Sequence, residues 1–205
     1  MSARPHIVPR IAISSIATGL LMMAFFTMMW AGIAYGSMGH GLVVLILFSL
    51  ISALFICYAV YLFIISRRFP QMQSEEDKAE GKRTGKWFGI IFGAEGLAIF
   101  VAINIVINLG HADLTIPVIA LVVGLHFYPM AKIFKRTVDY YLATWTNLVA
   151  IIAIILILNK TYPAASVDAF AGIGTAIATS CYGMYMIYTG RRLSKSTPVD
   201  ILAAA

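Results

Sequence analysis

The fold is decided by residues 87–136, WFGIIFGAEGLAIFVAINIVINLGHADLTIPVIALVVGLHFYPMAKIFKR. This stretch predicts two apolar helices joined by a short turn, with one ionisable residue in the middle of each, Glu95 and His126. Glu95 lies nine residues after Lys86, and His126 lies nine residues before Lys135. At a rise of about 1.5 Å per residue, each is roughly 13 Å from its flanking charge and close to the bilayer midplane. Ionisable groups at that depth are costly, so they indicate a functional site that faces protein or a water-filled cavity.

The composition of the whole chain is that of a membrane protein. Of its 205 residues, 60% are hydrophobic and 12% are charged, and the mean hydropathy is +0.87, which lies outside the range of soluble globular domains. We predict one all-α domain, residues 1–205, because six apolar segments and their loops use up the chain. The predicted transmembrane helices are 14–36, 42–66, 86–109, 116–134, 138–158 and 168–190, each about as long as a bilayer is thick.

The basic residues predict the orientation. In a six-span chain, fourteen of the fifteen Lys and Arg residues fall on one side, and only Lys160 falls on the other. The positive-inside rule therefore places both termini in the cytoplasm. The net charge of +6 is concentrated at helix ends, which favours the lipid bilayer as its partner and argues against nucleic acid.

Three helices end in a similar way. Tyr58, His126 and Tyr182 each lie nine residues before a pair of basic residues. This repetition favours three parallel hairpins around a pseudo-threefold axis. Aromatic belts and snorkelling arginines produce similar helix ends by chance, and that alternative stays open.

Polar side chains collect in the cytoplasmic half of the predicted bundle and define a candidate binding pocket with a proton-coupling site. Glu95 and His126 can share one proton as a hydrogen-bonded or ionic pair, so that protonation depends on what occupies the pocket. A purely structural pair that fixes helix 3 to helix 4 is the alternative. Tyr140, Thr144 and Asn147 are spaced i, i+4, i+7 and are expected on one face of helix 5. The full predicted set is Glu95, His126, Tyr58, Tyr182, Tyr185 and Asn147.

Two backbone features flank this set. Pro129 has no amide hydrogen, and its ring displaces the carbonyl of Leu125 from the helical hydrogen bonds, so we expect a helix kink beside His126. Gly85, Gly89 and Gly93, spaced by four, predict a surface for close helix packing. Such small-residue surfaces are also compatible with a homo-oligomer.

Metal-dependent and nucleophilic chemistry have little support in the sequence. Glu95 and His126 alone are too few ligands for a closed metal site, so we predict none. No serine or cysteine has the context of an activated triad, and there is no nucleotide-binding glycine loop. We therefore assign no catalytic residue, name no cofactor, and weigh an enzyme below a non-enzyme.

The motif GLHFYPMA at 124–131, preceded by FGAEG at 92–96, resembles an uncharacterised family of small bacterial six-helix membrane proteins with the pattern G-x-H-F-x-P-(L/M)-A. The resemblance covers helices 3 and 4, about a quarter of the chain. It implies a multi-pass protein of the bacterial inner membrane, and it implies no activity.

The sequence favours a transport protein or channel for a small polar solute, with a proton as the coupling ion. In this hypothesis Glu95 accepts the proton, His126 is its partner, and the tyrosines with Asn147 bind the solute. Two alternatives stay open: an intramembrane enzyme that acts on a lipid or isoprenoid with Glu95 and His126 as acid and base, and a non-catalytic membrane sensor or partner protein.

Overall fold

The computed structural model describes residues 8–39, 41–71 and 75–195, and this part of the chain is helical without strands. A short 3-10 turn, Ala112–Leu114, precedes the fourth helix. All six helices are long and apolar enough to cross a bilayer, which confirms a multi-pass membrane fold. They are α1 Arg10–Met38, α2 Leu42–Ser66, α3 Glu75–Asn108, α4 Thr115–Phe134, α5 Thr137–Leu158 and α6 Ala164–Lys195.

Helices α1, α3 and α6 run several residues past the predicted spans at the end of the bundle that carries most of the basic residues, here called the basic end. The largest difference is in α3, which begins at Glu75, whereas the sequence predicted a hydrophilic loop up to residue 85. Residues 75–85 contain three Glu, two Lys and one Arg, residue types that favour helix. An i, i+3 ion pair of 2.6 Å between Lys78 and Glu75 supports its first turn.

The helices do not pack as three equivalent hairpins. Helix α1 has extensive contacts with both α2 and α6, and these three form one tight group. Helix α5 connects this group to α4, whereas α3 packs against α4 at the edge of the bundle. The predicted pseudo-threefold relationship is therefore not visible in the contacts between the described helices.

Glycines have opposite roles in α6 and α3. Gly183 lies directly against the Phe55 ring, and a Cβ at Gly172 would come within 2.9 Å of the Trp30 carbonyl oxygen. These positions bring α6 close to α1 and α2. By contrast, a Cβ at Gly85, Gly89, Gly93 or Gly96 would meet no atom within 4 Å. Within one chain, the predicted packing surface on α3 is therefore wrong, because the larger side chains of α3 face α4 instead.

The turn between α4 and α5 is set back from the basic end. Trp145 Nε1 donates a hydrogen bond of 2.9 Å to the carbonyl oxygen of Gly174, which fixes the antiparallel register of α5 and α6. Nine residues further towards the basic end, this register places Arg136 near Gly183. Helix α6 then continues for twelve residues to Lys195, about 18 Å at an α-helical rise. The start of α5 is therefore set back by this distance from the end of α6.

Candidate functional site

Glu95 and His126 meet across the contact between α3 and α4. The Oε1 atom of Glu95 is 3.1 Å from Nδ1 of His126, and the two side chains are only 10% and 14% exposed. This distance is that of an ion pair, but Nδ1 lacks the alignment of a hydrogen bond. The two groups are close enough to exchange or share one proton, with little water around them.

Aromatic side chains bracket the pair and fix its position. On α3, Phe88 stacks on Phe92 at 5.8 Å between ring centroids, and it also contacts Phe134 of α4 at 6.2 Å. The His126 ring lies 4.2 Å from that of Phe127. Apolar rings of this size exclude water and lock the helices in register, so that the carboxyl and the imidazole face each other.

The pair lies at the edge of the bundle and not at its centre. Helix α3 packs mainly on α4, and only 6% of its apolar span is buried inside the protein. The face of α3 away from α4 carries a shallow depression of about 400 Å³ towards the end opposite the basic end. Asn104 and Asn108 lie there and donate hydrogen bonds to carbonyl oxygens of their own helix.

A second polar group lies where the start of α5 meets the middle of α6. Arg136 Nη1 donates a hydrogen bond of 3.0 Å to the hydroxyl of Tyr182. The Tyr182 side chain is buried, with its ring edge-on to Phe127 at 6.0 Å and stacked in parallel with Tyr185 at 6.3 Å. Since Phe127 also touches His126, this group continues the first one towards the bundle interior.

Asp139 belongs to the second group, although the sequence analysis did not single it out. Its side chain is 0% exposed, and neither carboxyl oxygen has a hydrogen bond of acceptable geometry. The Tyr182 hydroxyl lies within hydrogen-bond reach of the Asp139 carboxyl, and Arg136 and His126 lie close enough to interact with it electrostatically. An acidic residue in the first turn of a helix normally lies at the surface and interacts favourably with the helix dipole. For this reason the sequence pattern does not predict that Asp139 is buried.

Asn147 is buried, as a pocket residue would be, but the other two residues predicted on its face of α5 are exposed. The Asn147 side chain packs against Gly124 of α4, and its Oδ1 atom lacks a hydrogen bond. Tyr140 and Thr144 are exposed, and the hydroxyl of Thr144 lies 3.3 Å from that of Tyr128. The three residues therefore differ in burial, because the buried stripe of α5 is centred on Asp139, Ala143, Thr146 and Ala150 and has Asn147 at its margin.

The remaining predicted residues fall into two places. Tyr58 lies on α2, 5.5 Å from the ring of Tyr61, and packs with Tyr182 and Tyr185 in one apolar cluster. Of these tyrosines, Tyr182 is the one that contacts Arg136, Tyr185 stacks on Tyr182, and Tyr58 lies near Tyr61 and Arg191. Pro129 is exposed, and α4 continues through it without a break in its helical assignment.

The described residues contain no group of three or more His, Cys, Asp or Glu side chains that could hold a metal ion. Their unpartnered buried polar atoms are instead oxygens and one imidazole nitrogen, on α4, α5 and α6. They include His126 Nδ1, both Asp139 oxygens, Thr146 Oγ1, Asn147 Oδ1 and Ser180 Oγ. Groups of this kind suit a ligand that carries hydrogen-bond donors, or a proton.

Comparison with known proteins identifies no relative: no family model, curated protein or solved structure matches this chain.

Proposed function

We propose that this protein is a proton-linked transport protein or channel for a small polar solute. We further propose that it lies in the inner membrane of a bacterium, with both termini and the basic end in the cytoplasm. The orientation is supported by the basic residues, of which fourteen of fifteen fall on one side of the six spans. The inner-membrane location follows from the family resemblance of the GLHFYPMA motif.

The contact between Glu95 and His126 is the observation that carries the proposal. A carboxyl group and an imidazole 3.1 Å apart, both largely buried where α3 meets α4, are close enough to hold one proton between them. Their charge state then depends on whatever solute or water reaches them. A structural pair needs only to hold α3 to α4. Further buried polar atoms without partners lie on α5 and α6, and such atoms are costly in a merely structural bundle.

Helix α3 is the element best suited to move. It is held mainly by α4, and elements with few buried contacts have the lowest free energy of local displacement. Transfer of the shared proton would change the attraction between Glu95 and His126. In this mechanism, that change shifts α3 relative to α4 and alternately opens and closes a path to Tyr182 and Arg136.

The test is uptake by purified protein reconstituted in vesicles. Urea, acetamide, acetate and methylammonium represent small polar solutes of neutral, acidic and basic character. We expect at least one of them to enter wild-type vesicles faster than protein-free vesicles, and the excess to be lost in Glu95→Gln. Asp113→Asn, in the exposed turn before α4, is the matched control and should keep the wild-type rate. Equal uptake by wild-type and protein-free vesicles for every solute would contradict the proposal.

One observation favours an intramembrane enzyme as a second candidate. The Glu95 and His126 pair lies at the edge of the bundle, where a lipid chain could reach it from the side of α3. Glu95 and His126 would then serve as acid and base. A lipid bound between α3 and α4, and turned over only when both residues are intact, would favour this candidate over transport.

A further inference from the structure

Helices α2 and α6 run parallel at the basic end and form a groove between them. Two glycines of α6 set their register: Gly183 lies against the Phe55 ring, and a Cβ at Gly190 would come within 3.0 Å of Leu62 Cδ1. Both contacts have the same offset in residue number, so the two helices stay in step over about two turns.

Tyr61 of α2 and Arg191 of α6 lie on the same side of this groove. Tyr61 directly precedes Leu62, and Arg191 directly follows Gly190. In two parallel right-handed helices, the residue before a contact on one helix and the residue after it on the other turn to the same side. The Tyr58 ring lies 5.5 Å from that of Tyr61, and Tyr58 interacts electrostatically with Arg191. We call these three residues the Tyr–Arg group.

The Tyr–Arg group lies on the open side of the groove. The opposite side is closed by α1, where the Ser52 hydroxyl of α2 donates a hydrogen bond of 3.2 Å to the carbonyl oxygen of Ala24. By contrast, Tyr61 is 49% exposed and Arg191 is exposed. In a bilayer, the open side of the groove faces the lipid.

The group offers a positive charge and hydrogen-bond donors that the protein does not use. Neither of the two ion pairs found among the described residues involves Arg191. The Tyr182 hydroxyl accepts a hydrogen bond from Arg136, but within the same part of the chain neither Tyr58 nor Tyr61 has a side-chain hydrogen bond. A guanidinium and two phenolic hydroxyls are good donors to the oxygens of a phosphate.

An apolar stripe continues from the group towards the middle of the bilayer. Leu54 and Leu47 precede Tyr61 at intervals of seven residues, so the three lie on one face of α2. The two leucines are 49% and 54% exposed. An acyl chain fits such a stripe, whereas a free phosphate ion would gain nothing from it. The occupant that matches both the donors and the stripe is a phospholipid.

We propose that the Tyr–Arg group binds the phosphate of one anionic phospholipid, whose acyl chains lie along the exposed leucines of α2. Arg191 supplies the charge and paired N–H donors, and the hydroxyls of Tyr58 and Tyr61 donate to the remaining phosphate oxygens. The basic end as a whole attracts anionic lipids, but this group holds one molecule in a fixed place. The site is independent of the proposed transport, because it uses neither Glu95 nor His126.

The experiment is native mass spectrometry of the purified full chain in detergent, titrated with dioleoyl phosphatidylglycerol. We expect the wild type to retain one lipid molecule, and Arg191→Gln to bind it about fivefold more weakly. Tyr61→Phe removes one hydroxyl from a half-exposed side chain and should weaken binding by a smaller factor. Arg83→Gln is the matched control, since it removes the same charge from an exposed position on α3, and it should bind like the wild type.

Three outcomes would overturn the proposal. Equal weakening by Arg83→Gln and Arg191→Gln would show diffuse attraction to the basic end without a site. Equal retention of dioleoyl phosphatidylcholine would show that the negative charge is not recognised. Displacement of the lipid by glycerol phosphate at equal concentration would show a site for free phosphate compounds, to which the acyl chains contribute nothing.

Discussion

Arg136 donates a hydrogen bond of 3.0 Å to the Tyr182 hydroxyl and so joins the start of α5 to the middle of α6. A charged donor and a buried hydroxyl form one of the stronger hydrogen bonds available to a protein. This bond lies in the same polar group as Asp139.

Tyr182→Phe should therefore destabilise the protein. Removal of the hydroxyl leaves the partly buried guanidinium of Arg136 without this acceptor, and we expect a loss of about 1–3 kcal/mol in the free energy of unfolding. Denaturant titration in detergent measures it. Tyr188→Phe, at a side chain that is 63% exposed, is the matched control. Equal stability of the two variants would show that the bond contributes nothing.

Glycine-to-alanine substitutions should separate the two glycine patterns. Gly183→Ala forces a methyl group into the Phe55 ring, and overpacking of this kind costs about 1–3 kcal/mol. Gly89→Ala meets no atom within 4 Å and replaces a poor helix former by a good one, so it should be neutral or stabilising. Thermal unfolding in detergent compares the two. A destabilising Gly89→Ala would instead indicate that a second copy packs on α3.

The orientation of the chain can be read from single cysteines. In a background without Cys57 and Cys181, we expect Lys160→Cys to react with an impermeant maleimide from outside intact cells. Lys195→Cys, at the end of α6, should react only after the membrane is opened. The reverse pattern would place the basic end outside and remove the topological part of the account.

Most of the fold follows from sequence because the bilayer imposes one dominant rule, a helix of about twenty apolar residues for each crossing. The six spans were predicted on that basis and are confirmed. The extension of α3 to Glu75 was missed, because hydropathy detects the membrane boundary and not the end of the helical hydrogen bonds.

The arrangement of the helices was less predictable. The similar ends at Tyr58, His126 and Tyr182 suggested three equivalent hairpins, but aromatic residues and arginines collect at membrane boundaries whatever the packing. In the structure, α3 lies at the edge, and its glycines face no neighbour within the chain. Local periodicity does not say which of several apolar faces meets another helix.

The candidate site was predictable where a single ionisable residue stood in an apolar span. Glu95 and His126 do meet, at 3.1 Å. Asp139 was not predicted as a site residue, because an acidic residue at the start of a helix, three positions after Arg136, resembles an ordinary surface residue. The available signal was its spacing, one helical turn before Ala143 and two turns before Thr146. That spacing indicates burial only once this side of α5 is known to face the bundle interior.

The most direct test of the central claim is internal pH in vesicles that contain the reconstituted protein, recorded when a transported solute is added outside. The account predicts that solute entry changes internal pH in the wild type and in Asp113→Asn. It also predicts that Glu95→Gln and His126→Ala abolish the pH change while both variants remain folded. Solute entry with an unchanged internal pH in the wild type, or an undiminished pH change in both variants, would contradict it.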